Sequence, residues 1–179
     1  MKAVIIFGSC YGTSAGYAQK LSAKTGIPAF SHKDSGNIPD FDTLIYVGGL
    51  YAGGVFGLKR TLKRFAGKTK SLYIITVGIA DTLNDMNIKH IRASLQKQVP
   101  KDLYFEKHLF HLRGAIDYGK LNFVHRMMMK MLYYNIKKIP VGKRSADDEA
   151  LIETYGKKVD FTDYSGIDKI IDLTENFKS

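Results

Sequence analysis

The apolar residues of this chain fall into short runs that alternate with longer segments of helical spacing. The runs are too short for helices and are rich in β-branched residues, which is typical of strands buried on both faces. They lie at residues 3–7, 27–31, 43–47, 72–77 and 103–113. The segments with helical spacing or helix-capping residues lie at 15–24, 55–66, 84–98, 121–139, 145–156 and 162–177.

This alternation predicts an α/β fold, in which a five-stranded parallel sheet is covered by helices on both faces. The length of 179 residues fits one domain, residues 1–179, with a sizeable core. Three strands end at a glycine followed by a short loop: Gly8, Gly48 and Gly78. In an open α/β sheet, ligands bind outside the carboxyl ends of the strands. We therefore expect the three loops to form one site.

The first of these loops leads from a strand directly into a helix. The first N–H groups of a helix lack partners and favour an anion, and hydroxyl side chains add donors. The candidate phosphate-binding residues are Ser9, Cys10, Tyr11, Gly12, Thr13 and Ser14. The nucleoside-triphosphate pattern GxxxxGK[ST] and the dinucleotide pattern GxGxxG are both missing. A loop without Lys or Arg suits the phosphate of FMN, although an ordinary capped turn is the alternative.

The net charge of +10 concerns the partners of the chain rather than its fold. Nucleic acid, an anionic membrane surface, an anionic substrate and simple solubility are the competing explanations. No nucleic-acid-binding motif is recognisable, so we expect no nucleic acid. No segment reads as a membrane span or a signal peptide, so we expect a cytoplasmic protein. The single Cys10 excludes an intramolecular disulfide, and the pair His108 and His111 is expected on a strand surface, so no metal is expected.

The segment 121–139 predicts a basic amphipathic helix that is unusually rich in methionine. Its apolar face is predicted to contain Leu121, Val124, Met128, Met131 and Leu132, with the cations Arg126, Lys130 and Lys137 near the opposite side. The helix either covers the sheet as part of the core or presents a surface to a lipid, a quinone, a flat apolar substrate or a partner. A homodimer through this helix is a further possibility.

The chain resembles the flavodoxin fold. Its residues Ser9, Gly12 and Ser14 match the flavodoxin phosphate loop, Ser/Thr-x-Thr-Gly-x-Thr, while Tyr11 stands where Thr is usual. The resemblance implies the strand order 2-1-3-4-5 and FMN as cofactor. It places a second loop against the isoalloxazine ring and a third at its pyrimidine end. The second loop is Leu50, Tyr51, Ala52 and Gly53, and the third is Val77, Gly78, Ile79, Ala80 and Asp81. Tyr51 offers the flat wall that a flavin ring needs, unless it is a partly buried loop tyrosine.

The C-terminal third is similar to that of the menaquinone-dependent protoporphyrinogen IX dehydrogenases (oxidases) and related flavodoxin-domain proteins of Gram-positive bacteria. The matching residues are Gly114, Ala115, Tyr118, Arg126, Met128 and Lys130. Asp117 and Asn122 stand where these dehydrogenases have basic residues. The resemblance implies an insertion at about 114–145 and a place in heme biosynthesis. The candidate groups for an anionic substrate or a partner are Arg113, Tyr118, Arg126 and Lys130.

Three functions are consistent with the sequence. The first is an FMN-dependent oxidoreductase that passes electrons from a reduced substrate, possibly anionic, to a quinone or another acceptor. The second is a flavodoxin-type electron carrier that docks to redox partner proteins. Such carriers are typically acidic, whereas this chain has a positive net charge. The third is a binding module without flavin, in which the basic helix is the working surface. For the location of the protein, peripheral contact with the inner face of the membrane is the alternative to the cytoplasm alone. No side chain stands out as a general base.

Overall fold

The computed structural model describes residues 2–34, 36, 38–51, 54–144 and 146–174. Its strands are β1 (Ala3–Gly8), β2 (Ala29–Ser31), β3 (Thr43–Tyr51), β4 (Gly54–Val55), β5 (Ser71–Gly78), β6 (Leu109–Arg113), β7 (Ala115–Asp117) and β8 (Lys158–Asp160). Five of them form a parallel sheet in the order β2-β1-β3-β5-β6, and β4 pairs antiparallel with β3. The predicted α/β fold is confirmed, since this order is the expected 2-1-3-4-5 once the two-residue β4 is set aside.

Helices cover both faces of the sheet. They are α1 (Thr13–Thr25), α2 (Leu58–Arg64), α3 (Asp85–Gln96), α4 (Phe123–Lys137), α5 (Ala146–Thr154) and α6 (Asp168–Thr174). Each corresponds to a predicted helical segment, and α2 is shorter than expected. The predicted cap Ser145 and the predicted end at Phe177 lie outside the described residues. Of the two predicted caps for the last helix, Asp163 caps a 3-10 turn that continues into α6.

The sheet separates two hydrophobic cores. On one face, residues of α1 and α6 such as Leu21 and Ile170 pack on Ile5, Ile45 and Ile75. On the other face, α2 and α3 pack on the alternate strand residues. The fully buried members of this second core include Val4, Leu44, Leu58 and Leu95. Because the central strands are covered on both sides, their sequences are continuously apolar rather than alternating.

Strand β6 is shorter than the strand predicted at residues 103–113. Residues 101–103 and 106–108 form 3-10 turns, and β6 begins only at Leu109. The His108 side chain lies in hydrogen-bonding range of the Leu72 carbonyl, at 3.2 Å, and stacks on Tyr73 with ring centres 4.0 Å apart. The His108 side chain therefore contacts β5 at a position where the backbone of the predicted strand was expected to pair. His108 and His111 are also not surface residues as predicted, because both are partly buried.

The segment after β6 contains a second sheet where the sequence predicted only a turn. Strands β7 and β8 pair antiparallel, from Ala115 opposite Asp160 to Asp117 opposite Lys158. Each strand has three residues, which is too short for alternation to be visible in the sequence. This small sheet lies next to the carboxyl end of β6, and α4 and α5 pack on each other beyond it.

Candidate functional site

The strand register brings the three predicted loops to one edge of the sheet. Gly8 of β1 pairs with Gly48 of β3, and Gly49 pairs with Val77 of β5. The chain approaches itself closely here, since a Cβ built on Gly8 would lie 2.0 Å from the Phe56 carbonyl oxygen. A larger residue at this position would push the first loop away from the segment that follows β4.

A cavity of about 460 Å³ lies at this edge. Its wall includes nine of the predicted cofactor-binding residues: Ser9, Tyr11, Thr13, Ser14, Leu50, Tyr51, Val77, Gly78 and Ile79. Four others, Cys10, Gly12, Ala80 and Asp81, are in the same loops but not in the wall. The predicted Ala52 and Gly53 lie outside the described residues.

The first loop is a tight turn that leads directly into helix α1. The Gly12 N–H donates to Ser9 Oγ over 3.0 Å, and Gly12 adopts a left-handed conformation with φ of 98°. Helix α1 follows at Thr13, and no side chain caps its N-terminus. The described wall of the cavity contains no Asp, Glu, Lys or Arg. A bound anion would thus be held by backbone N–H groups and hydroxyls, without a repelling carboxylate.

An aromatic cluster joins two of the loops to helix α4. The Tyr51 ring stacks on His125, with ring centres 5.6 Å apart and an angle of 30° between the planes, and packs edge-on against Phe56. A ring inserted between Tyr51 and His125 would need about 7 Å, or two van der Waals contacts. Tyr51 can therefore offer only its other face to a ligand. Burial, with Cys10 nearby, raises the pKa of Tyr51 far above its usual value, so the phenol stays neutral.

Tyr11 connects the first loop to the start of α4. Its hydroxyl is hydrogen-bonded to His125 Nδ1 and accepts the Asn122 N–H over 3.3 Å. Asn122 Oδ1 in turn accepts the His125 N–H, which caps the helix. The residue that departs from the usual phosphate loop is thus the one that fixes α4 over the cavity.

Helix α4 forms the outer side of the cavity with a mostly apolar face. The residues of α4 in the wall are His125, Met128, Met129, Met131, Leu132 and Asn135, and Leu151 of α5 completes this side. Of the predicted apolar face, Leu121, Met128, Met131 and Leu132 line the cavity, whereas Val124 is exposed on the outer surface. The alternative that α4 is an ordinary core helix does not fit, since Ile136 is the one buried residue of this helix.

The four predicted substrate or partner residues lie outside the cavity wall. Arg113 donates from Nη2 to the Ile79 carbonyl over 3.3 Å and stacks on Phe161, so it supports the third loop from behind. Tyr118 is buried against Tyr155, and burial raises its pKa to about 12. Arg126 donates to the Leu121 carbonyl over 3.2 Å, and Lys130 is exposed.

Sequence reasoning missed His125 and Asn135 as cavity residues. Both lie on the helical face that carries Met128 and Leu132, so their spacing in the sequence could have identified them. It also missed Phe56 and residues 114–116, which reach the cavity through the β3–β4 hairpin and the start of β7. No local sequence pattern predicts those contacts, because they depend on how segments distant in the chain pack together.

A family model described as a flavodoxin domain matches residues 4–141, a span that runs from β1 to beyond the end of α4. No curated protein matches the chain.

Proposed function

Because the chain belongs to the flavodoxin domain family, we propose that it is an FMN-dependent oxidoreductase that passes electrons from a reduced substrate to a quinone or another acceptor. Flavodoxin domains typically bind FMN and take part in electron transfer with redox partners. The observation that supports the enzymatic activity is the enclosure of one cavity by three loops and helix α4.

The residues of the cavity fit FMN. Its volume lies within the range of roughly 300–1,000 Å³ that is usual for small-molecule sites. Ser9, Thr13 and Ser14 would hold the phosphate, and the apolar residues of the second and third loops would enclose the ring. Bound FMN would supply the redox chemistry, and the protein would position it and exclude water.

The apolar outer side of the cavity favours an enzyme over an electron carrier. A carrier transfers electrons to a docked protein and needs no room for a second small molecule. Here the methionines of α4 line the same cavity as the loops, with Met128 and Leu132 half-exposed at 40% and 37%. Flexible, polarisable methionine side chains adapt to flat apolar ligands. We infer that the substrate or acceptor is such a molecule, and a quinone is the acceptor of first choice.

Protoporphyrinogen IX is the donor to test first, because of the resemblance described above. Its macrocycle is apolar and would suit the methionines, while its propionates would need the cations outside the wall, such as Lys120 and Lys130. The test is anaerobic mixing of FMN-loaded protein with protoporphyrinogen IX, followed by menadione. Loss and recovery of the flavin absorbance would support the oxidoreductase. Loss of absorbance with protein reductants alone would instead support the carrier.

We further propose that α4 attaches the protein to an anionic membrane. Its outer surface, away from the cavity wall, exposes Phe123, Val124, Met127 and Tyr134. Residues 118–144 contain seven Lys and Arg and no Asp or Glu. Apolar groups surrounded by cations bind anionic lipid surfaces, at roughly 1 kcal/mol for each cation near the surface. Among the described helices, none has both the length and the apolarity to cross a bilayer.

Flotation with phosphatidylglycerol vesicles tests this attachment. Binding should be strong at low salt, weaken as salt increases, and fall in the double variant Lys130→Glu with Lys137→Glu. Phosphatidylcholine vesicles are the control for charge. Equal flotation with both lipids, or none with either, would contradict the proposal.

Sedimentation of the free protein examines the homodimer, which would bring two sets of like charges together.

A further inference from the structure

The described wall of the cavity contains one side chain of a type that changes charge near neutral pH. This side chain is His125, in the first turn of α4. Histidine ordinarily gains and loses a proton between about pH 5 and 8, unlike the hydroxyls, methionines and aliphatic groups around it. His125 is therefore the place in this wall where a proton can be stored beside a ligand.

The ring of His125 is held by two separate parts of the chain. Its Nδ1 is hydrogen-bonded to the Tyr11 hydroxyl of the first loop, and its face stacks on Tyr51 at the end of β3. The backbone N–H of His125 donates to Asn122 Oδ1 over 2.8 Å, which fixes the start of the helix. None of the hydrogen bonds found among the described residues uses Nε2 of this ring. The ring is thus fixed in orientation through one nitrogen, and the other nitrogen remains for exchange.

The Tyr11 hydroxyl suits this arrangement because it can both donate and accept. When His125 is charged, Nδ1–H donates to the Tyr11 oxygen and Nε2 carries the second proton. When Nε2 gives up its proton, Nδ1–H stays on Tyr11 and the ring does not need to turn. A fixed partner on one nitrogen is the usual way in which an imidazole is prepared for proton transfer on the other.

We propose that His125 transfers a proton between solvent and the bound substrate, a role that rests on the function proposed above. Reduction of a quinone to a quinol requires two electrons and two protons. Bound reduced FMN would supply two electrons and one proton of these. The second proton passes from Nε2 of charged His125 to a quinone oxygen, and the N–H bond breaks as the O–H bond forms. Water then restores the proton on Nε2, and oxidation of a reduced substrate follows the same path in reverse.

Few other titratable groups face His125. Tyr11 and Tyr51 contact it directly, and Cys10 lies beyond Tyr51. The nearest charge on its own helix is Arg126, which donates to the Leu121 carbonyl. The ion pairs found among the described residues do not include His125. The proton-transfer role is therefore assigned to His125 rather than to a neighbouring ion pair.

The test compares two acceptors with different proton needs. FMN-loaded wild-type protein and His125→Gln are reduced with dithionite and mixed anaerobically with menadione or with ferricyanide. Menadione takes electrons and protons, whereas ferricyanide takes electrons alone. Glutamine is polar and close to histidine in size but cannot carry the proton. The ratio of the menadione rate to the ferricyanide rate should fall about 100-fold in His125→Gln, as is typical when a general acid is removed.

The pH profile and a control variant complete this experiment. In the wild type, the menadione rate should fall as the pH rises, because the donor must be charged. In His125→Gln the profile should be flat. His90 is exposed on α3, and His90→Gln should match the wild type. If the wild type binds no FMN, the proposed function fails and this role with it. If FMN binds but the ratio is unchanged in His125→Gln, only the role of His125 fails.

NMR of the cofactor-free protein gives a readout independent of turnover. With ¹⁵N-labelled histidine, the neutral side chain of His125 should carry its proton on Nδ1. In Tyr11→Phe, whose ring cannot accept that hydrogen bond, this preference should disappear. A neutral ring with its proton on Nε2 in the wild type would contradict the proposal.

Discussion

The central sheet and helix α4 use apolar residues in opposite ways. In β3, every residue from Thr43 to Gly49 is buried, and the side chains on both faces pack into the two cores. In α4, Met131 is 64% exposed and Phe123 is 78% exposed. The apolar residues of the sheet stabilise the fold, whereas most of those in α4 contribute little burial. An apolar surface that the fold does not use is available for binding.

The largest effect should come from shortening a large apolar side chain in each region and comparing the free energies of unfolding. Leu44→Ala should lower the free energy of unfolding by about 2–5 kcal/mol, because Leu44 is fully buried and the change leaves a cavity. Met131→Ala should change it by no more than about 0.5 kcal/mol, as is usual at exposed positions. Urea unfolding of both variants provides the comparison. Similar losses would mean that α4 belongs to the core.

The next effect concerns the first loop and the phosphate. Ser14 is buried at the start of α1 and lies in the cavity wall. Ser14→Asp should weaken FMN binding at least about 100-fold, since like charges about 4 Å apart repel by roughly 4 kcal/mol near a protein surface. Ser14→Asn has the same size without the charge and serves as the control. Equal affinities of the two variants, measured by quenching of FMN fluorescence, would contradict the placement of the phosphate.

A smaller effect on stability in acid should come from a histidine that is partly buried in the sheet. Burial, and to a lesser degree Arg92, lowers the pKa of His111 in β6 to about 4. The unfolded chain therefore binds a proton at higher pH than the folded protein. Stability should decrease as the pH falls from about 6.5 to about 4.

Urea unfolding at pH 7 and pH 4.5 measures this decrease. It should be smaller in His111→Gln than in the wild type, while His90→Gln, on an exposed site, serves as the matched control. An equal decrease in His111→Gln and His90→Gln would show that His111 does not carry the effect.

The sequence predicted the sheet well and the site only in part. The buried strands appear as apolar runs because both of their faces are covered, and their glycines mark the edge where the loops meet. The predicted start of β6 was wrong because the His108 side chain, rather than strand backbone, contacts the Leu72 carbonyl. The pairing of Ala115 with Asp160 joins residues far apart in the chain, which no local pattern reveals.

The contact between Tyr11 and His125 shows the same limit within the site. The phosphate loop was recognisable from Ser9, Gly12 and Ser14, and Tyr11 was visible as a departure from the usual pattern. The reason for that departure lies 114 positions away in α4. Local sequence therefore predicted which loops form the cavity, while the enclosing helix and its histidine required the structure.

A single FMN site formed by the three loops and α4 can be tested by titrating the purified, flavin-free protein with FMN and, in parallel, with riboflavin, and recording the visible spectrum. We expect saturable binding of FMN with altered flavin bands, and much weaker binding of riboflavin, which lacks the phosphate. Binding of neither flavin, or equal affinity for both, would contradict this expectation.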